Sequence, residues 1–148
     1  MDQALHSEIL DLLSQHRIMT VATNRPDGWP QATTVAYVNI GLTLYFWTHP
    51  QSQKAANILR DKRISLTIAA DPSKPIAIKG LSMAADAELE RSPSAATKAA
   101  VLLDKRYPEL GAYRAIEMHM LSVYRVTPRI ISVIDYSKGF GHTEQVAV

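Results

Sequence analysis

The stretch LYFWTHPQSQKAANILRDKRISLTI, residues 44–68, changes its hydrophobic period twice and so decides the local fold. Its start completes the run LTLYFW, residues 42–47, whose aromatic and apolar side chains predict a strand buried on both faces. Residues 52–60 then predict a short helix with Ala55, Ile58 and Leu59 on its inner side. The chain returns to a strand at ISLTIAA, residues 64–70, so this stretch predicts a strand–helix–strand unit.

The junction between the first strand and the helix is rich in hydrogen-bond donors. Thr48, Ser52, Gln53 and Lys54 bring hydroxyl, amide and ammonium groups to a helix N-terminus, where backbone N–H groups lack partners. Such a set suits a phosphate. In the simpler alternative, Ser52 caps the helix and Lys54 is a solvated charge, and the residues alone leave both interpretations open. The chain has no Gly-rich Walker sequence and no G-x-G-x-x-G, so the sequence does not support a nucleotide-triphosphate site or a Rossmann site of the usual kind.

Upstream residues predict a helix followed by a hairpin. Residues 3–16 have apolar side chains at helical spacing, and RIMTVATN, residues 17–24, is β-branched. Pro26-Asp27-Gly28 is a turn sequence, after which PQATTVAYVNI, residues 30–40, is a second strand. With residues 42–47, these make three antiparallel strands in sequence.

Downstream residues predict further strands and one helical region. Residues 76–90 read as a long strand bent or bulged at Gly80. Residues 92–107 predict a helix. Pro108 interrupts it, and residues 109–117 are predicted to continue it. Two closing strands are predicted at residues 120–128 and 129–136. The tail, residues 137–148, is predicted to contain an ordered turn followed by a fraying end.

These elements predict one mainly β domain over residues 1–148. Six or seven strands with short connections and few helices favour an antiparallel barrel with two or three peripheral helices over a parallel α/β sheet.

Composition narrows the function. The chain has 148 residues, no cysteine, and a net charge of only +2 from scattered charges, which argues against nucleic acid as a partner. No apolar run approaches the roughly 20 residues of a membrane span, and the acidic start lacks a signal peptide, so no membrane association and a cytoplasmic location are expected. Four of the five histidines, His6, His16, His49 and His119, are too dispersed to predict a metal site.

Three segments together resemble a known family. Residues 44–68, the preceding TVATNRPDGWPQATTVAYV (20–38) and the closing SVYRVTPRIISVIDY (122–136) are similar, in order and spacing, to the pyridoxamine-phosphate-oxidase-like FMN-binding split barrels. The shared features are an aromatic-Thr pair followed by Ser-x-Lys, a T-V-x-x-D-G-x-P hairpin and an Arg-x-Thr-Pro corner. The resemblance implies a six-stranded antiparallel FMN-binding split barrel and a homodimer with FMN at the interface.

The resemblance also implies roles for particular residues. Ser52 and Lys54 would bind the phosphate of FMN, with Trp47, Thr48 and Gln53 nearby. The backbone of Thr33, Thr34 and Val35 would contact the edge of the isoalloxazine, and the ring of Phe140, between two glycines of the tail, could cover a partner's flavin. Trp29 and Trp47 are expected to be core or interface residues before they are flavin stackers.

Two departures from the family pattern affect the function expected. Gln53 stands where many members have arginine, and Thr33 stands where a basic residue is frequent. The positive charge that binds the phosphate could instead come from Arg60, Lys62 or Arg63. An Arg-rich C-terminal substrate segment is absent, which argues against pyridoxal-phosphate synthesis.

The expected function is an FMN-dependent oxidoreductase that exchanges hydride with a nicotinamide donor or a small-molecule substrate, with no side chain assigned as catalytic. The alternatives are a non-catalytic flavin-binding or stress-related protein and a split barrel that uses haem or deazaflavin. The residues that hold FMN are not those that choose its substrate, so the sequence leaves these alternatives open.

Overall fold

The computed structural model of the chain describes residues 1–111 and 118–148. Within them lie three α-helices, α1 (Gln3–Gln15), α2 (Gln53–Arg60) and α3 (Pro93–Arg106). Seven strands accompany them, β1 (Ile18–Asn24), β2 (Pro30–Ile40), β3 (Thr43–Thr48), β4 (Arg63–Ala69), β5 (Lys79–Leu89), β6 (Ser122–Asp135) and β7 (Thr143–Ala147). No helix in these residues has both the length and the apolarity needed to cross a bilayer.

The strands form one antiparallel sheet that closes on itself. Their order is β3-β2-β1-β4-β5-β6-β7, and an additional β3–β6 pairing closes the first six into a barrel. The prediction of a mainly β, six-stranded antiparallel split barrel with peripheral helices is therefore confirmed. Helices α1 and α2 lie at opposite ends of the barrel, because α1 leads into the start of β1 while α2 connects the end of β3 to the start of β4.

The barrel has one interior core and a second, outer core. Ile9 of α1 and Ile58 of α2 are buried in the interior, together with Leu44 and Phe46 of β3. The intervening Tyr45 of β3 faces the outer core, which α3 covers. Strand β3 is thus buried on both faces, as its continuous apolar run predicts.

The helix prediction for residues 52–60 is confirmed except for the direction of one side chain. Ala55 and Ile58 are buried, but Leu59 is 86% exposed. The buried residues of this helix are Ala55, Asn57 and Ile58. At about 100° per residue, Leu59 lies about 40° from Ala55 but about 100° from Ile58 and about 160° from Asn57, so it falls outside the buried face.

The long strand β5 begins at Lys79, and its irregularity is not at Gly80. The register with β6 shifts between Ala84 and Ala85 instead. Glycine is needed at position 80 for a different reason, since a Cβ there would lie 2.3 Å from the carbonyl oxygen of Ile68 on β4.

The prediction of two closing strands was wrong, because β6 is continuous from Ser122 to Asp135. Pro128 lies inside it, at the register shift, where β6 changes its second neighbour from β3 to β7. Proline has no N–H to donate, so a bulge at a change of partner accommodates it without breaking the sheet.

The tail does not fray. Residues 143–147 form β7, which pairs with residues 130–134 of β6. Gly139 and Gly141 adopt φ angles of 140° and 78° in the connection, a conformation that favours glycine. The predicted continuation of the helical region over residues 109–117 lies mostly outside the described residues, although 108–110 form a short 3₁₀ turn.

Candidate functional site

The barrel wall opens along one edge of β2. Strand β3 pairs only with residues 37–40 of β2, and its end pairs only with β6. The alternation of the β2 backbone is fixed by two hydrogen bonds on the β1 side. Arg25 N donates to Trp29 O at 3.1 Å, and Tyr37 N donates to Arg17 O at 3.2 Å. Residues 31, 33, 35 and 37 therefore direct N–H and C=O groups toward β1. Those of residues 32, 34 and 36 point to the open side, where no strand in the described part of the chain meets them.

This alternation separates the three β2 residues predicted at the site. The backbone of Thr34 faces the open edge, whereas the backbones of Thr33 and Val35 belong to the ladder with β1. The side chain of Thr33 points inward with that of its partner Val21, and its hydroxyl is buried without a hydrogen-bond partner among the described residues. Of the three predicted residues, Thr34 alone directs both its N–H and its C=O to the open side, as Ala32 and Ala36 also do.

The end of β3 forms the other wall of the opening. Trp47 and Thr48 continue past Phe46, the last partner of β2, and pair with Val123 and Ser122 of β6. Trp47 is half-buried and packs in the outer core, which agrees with its predicted core or interface role. Trp29, in contrast, is 70% exposed at the tip of the β1–β2 hairpin.

Ser52 joins the end of β3 to α2. Its Oγ accepts a hydrogen bond from Ala55 N at 3.1 Å, and it lies 3.1 Å from the Oγ1 of buried Thr48. Ser52 is therefore the N-cap of α2, as the simpler alternative expects. A cap also fixes the first turn of the helix, whose remaining free backbone N–H groups lie next to the end of β3.

Lys54 is a cation without a partner. The side chain is half-buried, and no carboxylate or hydrogen-bond acceptor pairs with it in residues 1–111 and 118–148. Burial lowers the pKa of its ammonium below the usual lysine value, because the charged form loses hydration. A bound anion would relieve that cost, which makes Lys54 the strongest anion-binding side chain of the junction.

Gln53 is exposed, but its side chain is held by a buried amide that the sequence interpretation missed. Its Nε2 donates to Asn57 Oδ1 at 2.8 Å, and Asn57 Nδ2 donates to Thr23 Oγ1 at 3.0 Å. Asn57 is 1% exposed. The available signal was an asparagine between Ala55 and Ile58, the two buried apolar positions of the helix, where a polar group requires partners.

The alternative phosphate ligands lie at the other end of α2. Eight residues span about 12 Å of helix, and Arg60 donates to the carbonyl oxygen of Asn24 at 2.7 Å. Arg63 forms an ion pair with Asp61 at 3.0 Å, and Lys62 lies 3.7 Å from Glu88. The structure does not bring these three cations to Ser52 and Lys54.

Phe140 is also distant from the junction within one chain. It is 86% exposed in the β6–β7 connection, with its ring centroid 5.4 Å from that of Tyr136. Ser122, at the start of β6, is the residue that pairs with Thr48, and the fourteen residues of β6 span on the order of 40 Å. Phe140 could therefore reach such an opening only in a second copy of the chain.

The opening combines two kinds of recognition. The free edge of β2 presents alternating amide donors and acceptors, which suit a flat ring with an amide-like edge. The ammonium of Lys54 and the N-terminus of α2 suit an anionic end group. A planar molecule with a phosphate tail satisfies both, with the ring along Thr34 and the phosphate at Lys54.

Comparison with known proteins identifies the family and supports the fold. Residues 5–134 match the sequence family described as pyridoxamine 5'-phosphate oxidase. A conserved hypothetical protein from Mycobacterium tuberculosis has a similar crystal structure, with a TM-score of 0.79 and 29% identity over 97% of this chain and 91% of that one. Among curated proteins, none matches the chain.

Two more distant structures share the fold. A haem-binding protein from Mycobacterium smegmatis has a TM-score of 0.80 and 19% identity, over 99% of this chain and 59% of that one. General stress protein 26 from Bacillus anthracis has a TM-score of 0.72 and 16% identity, over 99% of this chain and the whole of that one. With its match over residues 5–134, the chain belongs to the pyridoxamine 5'-phosphate oxidase family.

Proposed function

We propose that the protein binds FMN in the opening between β2 and β3 and acts as a cytoplasmic FMN-dependent oxidoreductase. The observation that carries this proposal is the unpaired edge of β2 around Thr34, which lies across the opening from Trp47, Thr48 and the N-terminus of α2. Membership of the family supports a flavin as the ligand.

The residues present fit the two ends of FMN. The N–H and C=O of Thr34 match the donor and acceptor pattern at the uracil-like edge of an isoalloxazine. The phosphate would be bound by Lys54 together with the N-cap Ser52 and Thr48, whose hydroxyl oxygens lie 3.1 Å apart, and Gln53 is the next residue of the same turn. Thr33 and Val35 support the edge from the β1 ladder, so their role is to hold Thr34 in place.

A homodimer would complete this site. The outer face of the sheet next to the opening carries small exposed side chains, which include Ala32, Thr34, Ser65, Thr67 and Ala84. Such a flat face can pack closely against a second copy. The partner's Phe140 could then cover the flavin, because the Phe140 of the same chain lies too far away.

FMN, when bound, supplies hydride exchange at its N5 atom with a nicotinamide donor or a small-molecule substrate. The protein contributes binding, orientation and exclusion of water. No side chain of the opening is required as an acid or a base.

The decisive experiment measures FMN affinity in Lys54→Ala. Loss of a charge-assisted hydrogen bond to the phosphate removes about 1.5 to 3 kcal/mol, so the dissociation constant should rise about tenfold to a hundredfold. Lys98→Ala, an exposed lysine on α3, is the matched control and should bind normally. Equal FMN affinity in Lys54→Ala and the unmodified protein would refute the phosphate assignment.

The absorbance spectrum of the purified protein distinguishes the alternatives. Flavin bands that bleach with NADH or NADPH support the oxidoreductase, whereas flavin bands without turnover support a carrier or stress-related role, as the fold shared with general stress protein 26 would allow. A Soret band would select the haem alternative, which the fold shared with a haem-binding protein keeps open. Binding of deazaflavin without FMN would select the remaining alternative. Light scattering on the loaded protein measures whether two chains assemble.

A further inference from the structure

A second concave site lies between α2 and the ends of β5 and β6. It is a groove of about 890 Å³, within the size range of small-molecule sites. Its lining includes Ile58 and Leu59 of α2, Leu89 of β5 and Tyr124 of β6. The lining includes no residue of β2 and none of Thr48, Ser52 and Lys54, so the groove is distinct from the opening assigned to FMN, although Ala55 and Ser122 lie next to it.

The floor of the groove is apolar. Ile58, Ala87 and Tyr124 are each at most 6% exposed, and the Tyr124 ring stacks on Phe46 of the interior core with centroids 5.4 Å apart. Leu59 rises from this floor with 86% of its surface exposed. An exposed leucine next to a buried apolar floor indicates a surface that a ligand can cover.

The rim carries more positive than negative charge. Arg60, Lys62, Arg91 and Arg125 line the groove together with only two carboxylates, Glu88 and Glu90. Both carboxylates are already engaged, because Arg125 contacts each of them at 3.0 Å. Arg91 has no ion-pair or hydrogen-bond partner among the described residues.

Two hydroxyl groups add uncharged donors. Tyr124 and Ser122 line the groove, and neither hydroxyl makes a hydrogen bond within residues 1–111 and 118–148. Their position next to the apolar floor places donors where the head group of a bound molecule would meet its apolar body.

We propose that this groove binds a small carboxylate with an extended apolar body, of the chemical class of medium-chain fatty acids. The planar guanidinium of Arg91 pairs with the carboxylate, since arginine matches the geometry of that group. Leu59 and Leu89 cover the hydrocarbon chain, whose burial supplies most of the affinity. The hydroxyls of Tyr124 and Ser122 complete the recognition of the head group.

Titration calorimetry with dodecanoate, below the concentration at which it forms micelles, tests this proposal. The unmodified protein should bind it saturably with one site per chain. Leu59→Asp should weaken binding about tenfold or more, because it places a carboxylate against the bound anion and removes apolar contact. Arg91→Glu should weaken it to a similar extent.

Each variant has a matched control on α3. Val101→Asp and Lys98→Glu make the same changes at exposed positions outside the groove, and both should bind dodecanoate normally. Thermal unfolding confirms that all four variants fold. FMN affinity should be unchanged in Leu59→Asp and Arg91→Glu, which separates this site from the proposed flavin site. Absent binding, equal weakening in the controls, or displacement of dodecanoate by FMN would overturn the proposal.

Discussion

The two halves of β2 have the same backbone conformation but different surroundings. Residues 37–40 pair with β3, and α3 covers their outer face through Val38 and Ile40. The Tyr37 hydroxyl donates to the carbonyl oxygen of Leu13 at 2.7 Å and ties this half to α1. Residues 30–36 pair with β1 alone, and the outward-facing Ala32 and Thr34 are exposed.

This difference shows how one strand can serve both stability and binding. Residues 37–40 are held by β3, by α3 on the outer face and by the contact of Tyr37 with α1, so substitutions there should lower the free energy of unfolding. The first half uses only one of its two backbone edges for folding. Its other edge is free for a ligand at little cost to the sheet, because those amides are satisfied by water when nothing is bound.

The largest expected effect comes from proline at two neighbouring positions of the first half. Thr33→Pro removes an N–H that belongs to the β1 ladder and should reduce the free energy of unfolding by about 3 kcal/mol, the upper end of the range for a buried group left unpaired. Thr34→Pro removes an N–H on the open edge and should change stability far less. FMN affinity should nevertheless fall in Thr34→Pro, by about tenfold for one lost hydrogen bond.

Urea unfolding and FMN titration of both variants measure these two effects. The paired design controls for the general cost of proline in a strand, because the residues are adjacent and both extended. Equal destabilisation by the two substitutions would mean that the edge at Thr34 is not free. Unchanged FMN affinity in Thr34→Pro would place the isoalloxazine elsewhere.

A smaller effect on stability is expected from the hydrogen bond that links Asn57 of α2 to Thr23 of β1. Asn57→Ala breaks the hydrogen bonds to Gln53 and Thr23 inside the barrel and should cost about 1 to 3 kcal/mol of stability. FMN affinity should fall by several fold, because α2 carries Lys54, the proposed phosphate ligand. Gln51→Ala, at an exposed position just before the helix, should leave both quantities unchanged. Thermal unfolding and FMN titration give the two readouts, and a normal melting temperature for Asn57→Ala would contradict the stabilising role.

The sequence predicted most of the elements because their signals are local. Alternation and β-branching located β1, β2 and β4, and the cap at Ser52 located the start of α2. The errors concern non-local features. Whether Pro128 ends a strand or sits in a bulge depends on which strands flank it, and the pairing of β7 with β6 depends on an edge that residues 143–147 do not themselves encode.

The same distinction applies to the candidate site. The donors at Thr48, Ser52 and Lys54 are close in sequence, so their spacing was enough to suggest a binding site. The division of roles between Thr33 and Thr34 was not predictable, because it depends on which backbone groups β1 uses. Asn57 was missed because its partners come from β1 and from the helix itself, and only the folded barrel brings Thr23 to it.

The smallest expected effect is the pH dependence of FMN binding, which tests Lys54 without changing the fold. Burial lowers the pKa of the Lys54 ammonium, and a bound phosphate would raise it again. Affinity should therefore be highest while free Lys54 is protonated, and should decline as the pH rises from the lowered pKa of the free protein toward the higher pKa of the complex. The decline should begin at a lower pH than a fully solvated lysine would give, with a slope of at most about tenfold per pH unit.

Lys54→Arg provides the control for this pH dependence, because a guanidinium stays charged throughout the alkaline range. Its affinity should not show the decline assigned to Lys54, and any effect of alkali on the flavin itself should appear equally in both proteins. FMN titrations from neutral to alkaline pH measure the difference between the two curves. Parallel curves would mean that the lysine ammonium is not the phosphate ligand, even if Lys54→Ala binds FMN weakly. The comparison thus separates a charge that contacts the phosphate from a side chain that only supports the first turn of α2.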